Sequence, residues 1–390
     1  MSDDFVEVTS KSWFEKIVDS LKAIVFGLIL VIASGVAIFW NEGNSAETLA
    51  ALAEGAKIVI SVPADRVDIG NDGKLVHVAG QTSAAQPIKD ADLGVTVDAL
   101  KLARKVEMYQ WQETSKSETQ KKLGGGEETV TRYSYTLVWS DVAINSSNFK
   151  YSSDHRNPAF PALASRTFAN SSSKIGNFSL GEGVLAEINS FEKSDVPASA
   201  LGTAKQKLGS NAVITQGNFF LGTDQNSPSL GDVRVSYQIV PIKPVSIIAK
   251  QVQSTFSPYV MKSGHKLILV ETGIKDPTLM FKDGKDESQL ITWIVRSVAF
   301  FFMFIGFALM LSLLEVIADL IPFLGNLVGA GTMLVAFCFT LITAPVVAAI
   351  AWFYYRPLVA GVIILAGGLL FLGFRSLAGK RKLGVLAQSS

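Results

Sequence analysis

Two carboxylates, Glu315 and Asp319, stand at the end of an uncharged run that begins at Ser297. A spacing of four puts both on one face of a continuing helix. At the edge of hydrocarbon such a pair binds a cation, relays protons or meets a basic residue of a neighbouring subunit, because charge at that depth faces water or protein. The plainer alternative is that both simply sit in the headgroup layer. Just downstream, Gly325 and Gly329 give a GxxxG spacing suited to close helix contact between subunits. Arg356, next to Pro357, can pair with a phosphate or a carboxylate. With Trp40, Trp352 and Tyr355 it also has the composition of a membrane-interface anchor.

Other chemistry finds little support. His77, His155 and His265 are scattered and belong to no HExxH or HxH spacing, and the single cysteine, Cys338, lies in an apolar run. Gly124 to Gly126 sit between Lys121-Lys122 and Glu127-Glu128 without a following GK[ST], so they read as a turn and not a phosphate cradle. No GxSxG occurs. No catalytic, metal or cofactor residue is therefore assigned, and a non-enzymatic protein is expected. Tyr109, Trp111, Tyr133, Tyr135 and Trp139 alternate along two predicted strands and are expected to be core.

The elements that must carry the acidic pair are set by hydropathy. The 390 residues are 48% hydrophobic and 18% charged, with net charge +1 and a mean hydropathy of +0.33. Soluble domains carry about 25% charged residues, so the composition is that of a membrane protein, and no basic field exists to attract nucleic acid. Four uncharged runs are long enough to cross a bilayer: 23–40, 297–314, 327–350 and 357–374, with a connector at 315–326 that holds Pro322. Lys11, Lys16 and Lys22 precede the first run, and Arg375, Lys380, Arg381 and Lys382 follow the last. By the positive-inside rule both tails, 1–22 and 375–390, are cytoplasmic, which places 41–290 on the opposite side.

That large segment reads as mostly β with some helix. A short helix is predicted over Ser45 to Ala56, and a long hairpin pairs 104–112 with 130–139 around the glycine turn, its charged tip at 114–129 expected to be mobile. A Ser- and Asn-rich stretch at 145–177 is expected to divide two β-rich lobes. A helix near 198–208 and strands over 233–239, 245–249 and 267–270 follow. The fold class is thus a multipass α-helical membrane protein with four transmembrane helices and a β-rich α+β extracytoplasmic domain between helices one and two.

Asn41-Glu42-Gly43, the segment LARKVEMYQWQE at 102–113, GDVRVSY at 231–237 and Tyr355-Arg356-Pro357 together resemble the transmembrane protein 43 (LUMA) family. The order and spacing of these words along nearly the whole chain carry the resemblance. It implies a self-associating multipass protein that organises partners in the endoplasmic reticulum or inner nuclear membrane. In a bacterial member the inner membrane and periplasm take those places. It brings no enzymatic residues. The reading that follows is a membrane scaffold, by that resemblance neither enzyme nor cofactor protein, whose partners are the lipid bilayer, further copies of itself and other membrane or extracytoplasmic proteins. The rival is an oligomeric channel or transport component using Glu315 and Asp319.

Overall fold

The computed structural model describes residues 4–357 and 361. It divides into two compact units. One comprises Met1–Thr9, Ala51–Thr119 and Thr129–Gly284, and the other Ser10–Ala50, Gln120–Glu128 and Lys285–Ser390. The fourth expected crossing, 357–374, and the basic tail lie outside the described residues apart from Pro357 and Gly361.

The first unit is built on two antiparallel sheets. Its strands are β1 (Asp4–Lys11), β2 (Leu75–Ala84), β3 (Lys101–Lys121), β4 (Glu127–Ser140), β5 (Arg166–Ala169), β6 (Ser173–Ile175), β7 (Asn218–Leu221), β8 (Val233–Val240), β9 (Pro244–Val252) and β10 (Leu269–Thr272), with shorter strands between them. One sheet runs β1-β4-β3-β8-β7, with β5 also on β3, and the other runs β6-β2-β9, with β10 also on β9. Alternation sets the faces: Val233, Val235 and Tyr237 of β8 are buried, and Val235 lies opposite Val106 of β3. Their core takes in Leu102, Met108 and Phe219, while a second core gathers Val76 and Val78 of β2 with Ile247 and Ala249 of β9 and with Phe178. Each large buried side chain of this kind stabilises by about 1.5–3 kcal/mol.

Polar groups inside the first core are paired. Arg104 donates to both oxygens of Asp90 at 2.9 and 2.7 Å, and the Tyr237 hydroxyl donates to the same carboxylate at 2.6 Å. Burial, followed by the hydrogen bond to Asp90, pushes the Tyr237 hydroxyl well above its ordinary pKa. The helices α2 (Glu182–Glu187) and α3 (Leu201–Leu208) close the two cores through Val184 and Leu185, and through Ala204.

Several boundaries differ from the sequence reading. The hairpin strands reach Lys121 and restart at Glu127, so the charged tip is strand almost to the glycine turn. Hydroxyl pairs Ser117–Thr131 and Thr119–Thr129, each at 2.9 Å, hold these outer strands in place of apolar contacts. The 145–177 stretch is no linker. The Asn157 side chain accepts from the Trp111 amide at 2.7 Å and donates to the Trp111 carbonyl at 3.0 Å, and β5 pairs with β3. Low hydrophobicity marks it because side-chain amides, not apolar groups, fasten it.

The N-terminal segment also departs from expectation. It is not a detached tail, because β1 lies beside β4 in the first sheet. Phe5 stacks on Tyr151 at 4.2 Å, and Glu7 accepts from the Tyr133 hydroxyl and from Lys150. The positive-inside count gave weight to Lys11 and Lys16 and none to the period-two pattern of Phe5, Glu7 and Thr9.

Three long helices supply the second unit: α1 (Trp13–Ile58), α4 (Pro277–Ala318) and α5 (Pro322–Tyr355). Each is long and apolar enough to cross a membrane. Ser12 and Glu15 form a reciprocal capping box at the start of α1, through Ser12 N to Glu15 Oε2 at 2.8 Å and Glu15 N to Ser12 Oγ at 3.3 Å. The helix then runs through Asn41-Glu42-Gly43 without a break and absorbs the predicted Ser45 helix. Its last turns, with Ala51 and Leu52, pack against Leu75, Ile248, Met280 and Phe281 inside the first unit. The connector between α4 and α5 shrinks to Asp319–Ile321, because Pro322 starts α5 where its missing amide costs nothing.

Candidate functional site: two charged layers in the helical unit

The charges that interrupt the apolar helices are gathered into two layers. In the first, Asp319 is 2% exposed. It receives Lys16 of α1 at 2.5 Å on one oxygen and Lys121 of the hairpin tip at 2.7 Å on the other. Lys121 also donates to Glu315 at 2.7 Å, and Lys16 lies 3.5 Å from Glu127. The Trp13 indole donates to the Val316 carbonyl at 2.8 Å, and the Gly124 amide to the Leu320 carbonyl at 3.3 Å. Glu315 and Asp319 do share a face, and their partners are lysines of their own chain.

The hairpin tip, from Gln120 to Glu128, is therefore at the same end of the helices as Lys16. The expectation from sequence puts this tip across the bilayer from Lys16, because it treats the whole of 41–290 as one body. Nothing local in the sequence couples Lys121 to Asp319, which is 198 positions away.

Gly325 and Gly329 serve this layer. A Cβ on Gly325 would stand 1.8 Å from Asp319 Oδ1, and one on Gly329 would stand 2.8 Å from the Glu315 carboxyl carbon. The GxxxG surface, read as a contact between subunits, is filled by the acidic pair of the same chain. Another pair, α1 and α4, also meets closely: a Cβ on Gly27 of α1 would lie 2.5 Å from the Gly306 carbonyl of α4. Only glycine at both positions permits that approach, which van der Waals contact makes favourable in lipid.

The second layer centres on Glu42 of α1, which is 3% exposed. Arg296 of α4 grips it with two donors, Nε to Oε1 at 2.5 Å and Nη2 to Oε2 at 2.8 Å, and the Trp352 indole of α5 donates to Oε2 at 2.6 Å. Asn41 donates to the Thr292 carbonyl at 3.3 Å, and the Tyr355 ring covers Gly43. Of the four residues read as interface anchors, Trp352 and Tyr355 are drawn into this layer. Trp40 points outward, 66% exposed, and Arg356 ends α5 half-buried.

The layers bracket one apolar slab. From Lys16 to Glu42 along α1 is about 39 Å, and from Arg296 to Asp319 along α4, or from Gly329 to Trp352 along α5, is about 35 Å at 1.5 Å per residue. Those spans exceed a hydrocarbon core of about 30 Å by the depth of its interfaces. No charged residue lies between Lys22 and Glu42 of α1, between Arg296 and Glu315 of α4, or within α5, and each buried carboxylate carries its own cation, as burial of charge demands.

Other chemistry has few footholds here. Beside Arg296 lies a cavity of about 410 Å³ walled by Ile38, Trp293, Phe300, Pro345 and Trp352, an apolar set that offers no ligands to a metal. Among the described residues no three His, Cys, Asp or Glu side chains converge on one point. The predicted core aromatics of the hairpin do pack: Tyr109 meets Trp139 at 5.2 Å, and Tyr135 stacks on His155 at 3.7 Å. Burial, aided by Glu113, raises the Tyr135 hydroxyl pKa to about 12.

Sequence comparison gives the family. Residues 108–357 match the family model for transmembrane protein 43. The chain is 32% identical over 375 residues to the mouse transmembrane protein 43, covering 92% of both chains. It is 31% identical to the human protein, over 93% of this chain and 91% of that one. The Drosophila melanogaster homolog is 26% identical over 90% of this chain and 93% of its own. No solved structure matches the chain. The helices, the matched span and the relatives together make this integral membrane protein a member of the transmembrane protein 43 family.

Proposed function

We propose that the protein is a non-enzymatic membrane scaffold that self-associates and presents its β-rich unit to protein partners. The observation that carries this reading is the internal pairing of the buried charges. Asp319 is held by Lys16 and Lys121, and Glu42 by Arg296 and Trp352. Ionised groups committed in this way stiffen a bundle and leave neither Asp319 nor Glu42 unpaired to take up an ion. The β-rich unit, with two cores of its own, is the part large enough to offer a partner a specific surface.

By the same reading the Lys16 end faces the cytoplasm and the Glu42 end faces the extracytoplasmic side. The membrane is the inner membrane if the cell is bacterial, and the endoplasmic reticulum or inner nuclear membrane if it is eukaryotic. The rival is an oligomeric channel with Glu315 and Asp319 lining its path, and the partial exposure of Glu315, 34%, is the feature that favours it.

Two differently tagged copies co-expressed and extracted in mild detergent test the proposal. Co-isolation of the second tag with the first is expected, with reconstituted bilayers electrically silent. Strictly single copies would overturn the scaffold. Currents altered by Glu315→Gln would put the channel in its place.

A further inference from the structure

Just inside the Glu42 layer the three long helices leave a cleft, the cavity of about 410 Å³ beside Arg296. Ile38 of α1 and Phe300 of α4 line it one turn deeper than Glu42 and Arg296, and Ala348 and Ala344 of α5 line it one and two turns deeper than Trp352. The cleft therefore reaches about 12 Å from the charged layer into the apolar slab, at 1.5 Å per residue. Its volume is that of a small-ligand site, about 300–1,000 Å³. Alanines make the α5 wall, where larger side chains would fill the space, and Ala349 among them is exposed.

Depth and shape select the occupant. At that level the surroundings are hydrocarbon, and apolar walls give water no partners. A further spanning helix needs a face of about 30 Å to pack on, longer than this cleft. The acyl chain of a lipid is slender and flexible and needs no such face.

Charge at the mouth adds a headgroup. Arg296 commits Nε and Nη2 to Glu42, while its Nη1 has no hydrogen-bond partner among the described residues, and the side chain stays 24% exposed. The guanidinium lies over the Trp293 ring at 4.8 Å, which fixes its plane. Arg356 acts on the same carboxylate as a second positive charge. Within one turn of Glu42, Arg296 and Trp352 along their helices, the charged residues are Glu42, Arg296 and Arg356 alone. Two cations against one anion leave one positive charge over, beside a guanidinium edge of the kind that donates well to phosphate.

We propose that this cleft seats one glycerophospholipid of net negative charge, with its phosphate accepting from Arg296 and one acyl chain lying against Ile38, Phe300 and Ala348. The headgroup balances the charge that Glu42 leaves over, and the chain takes the place of missing side chains on α5.

Native mass spectrometry of the delipidated full chain, supplied with dioleoyl phosphatidylglycerol or dioleoyl phosphatidylcholine in neutral detergent, tests the assignment. One phosphatidylglycerol per copy should be retained, about tenfold more tightly than phosphatidylcholine, as one charge-assisted contact provides. Ala349→Phe should abolish retention of both lipids with the melting midpoint unchanged, and Ala349→Leu is a milder filling of the same space. Arg356→Gln should bring the two lipids level. Water-soluble glycerophosphoglycerol should not displace the bound lipid, because it lacks the chains. Equal retention of the two lipids by the unaltered chain, or displacement by glycerophosphoglycerol, would overturn the proposal. So would retention that survives both fillings. A cleft occupied instead by residues 358–374 or by a second copy would show as no retained lipid, and that result also overturns it.

Discussion

Asp319→Asn should destabilise the helical unit by about 3–5 kcal/mol, the cost of leaving a buried cation without its partner. Asparagine keeps the shape of the side chain beside Gly325, so packing is preserved and the loss is electrostatic. Two ammonium groups within 2.5 and 2.7 Å lose their shared anion. A pair of unit charges about 4 Å apart is worth about 4 kcal/mol at an effective dielectric of 20, and desolvation takes back part of two such contacts. Lys16, 8% exposed, would keep only Glu127 at 3.5 Å, while Lys121 would keep Glu315. Glu315→Gln should cost less than about 1 kcal/mol, because Lys121 retains Asp319 and the lost contact is partly wet. Equilibrium unfolding of purified protein in mixed micelles, titrated with sodium dodecyl sulfate, reads both values. In a Lys16→Met background the Asp319→Asn penalty should shrink, since the two residues share one contact. Equal effects of Asp319→Asn and Glu315→Gln, or an Asp319→Asn cost under about 1 kcal/mol, would refute the claim that the carboxylate is held by its own chain.

The same unfolding assay should show Gly27→Val costing about 1–3 kcal/mol, because its new carbons meet the Gly306 carbonyl at a point 2.5 Å from the Cβ position. Arg296→Met should cost about 3 kcal/mol by stranding Glu42 with the Trp352 indole alone, and Arg296→Lys should fail to restore stability because one ammonium cannot supply both donors. His77, held between Ser61 Oγ at 3.3 Å and the Lys275 carbonyl at 3.0 Å, has its pKa lowered by burial. The unfolded chain therefore binds the proton first. The stability His77 contributes is present above the unfolded value of about 6.5 and is lost as pH falls below it. The melting midpoint of the β-rich unit should drop between about pH 7.5 and about pH 5.5, and His77→Gln should flatten that drop.

Much of the architecture was legible in the residues themselves. Uncharged runs located α1, α4 and α5, and alternation located β3, β4 and β8, because both patterns are local consequences of which face meets an apolar phase. Boundaries went astray where polar contacts, not hydrophobicity, extend an element. Asn41-Glu42-Gly43 looks like a helix end, yet Arg296, 254 positions away, satisfies Glu42 and lets α1 continue. The outer hairpin looks like a loop because hydroxyl pairs such as Thr119–Thr129 stabilise it. For the candidate site, sequence gave the shared face of Glu315 and Asp319 and missed Lys16, Lys121 and Arg296. A lone charge at the margin of an apolar run signals that a partner exists, but spacing cannot name one hundreds of residues distant.

Native mass spectrometry of the full chain, released from mild detergent, tests the central claim that this protein assembles with itself in the membrane. Species holding two or more copies are the expected result. A spectrum holding only monomer, at concentrations where the β-rich unit remains folded, would contradict it.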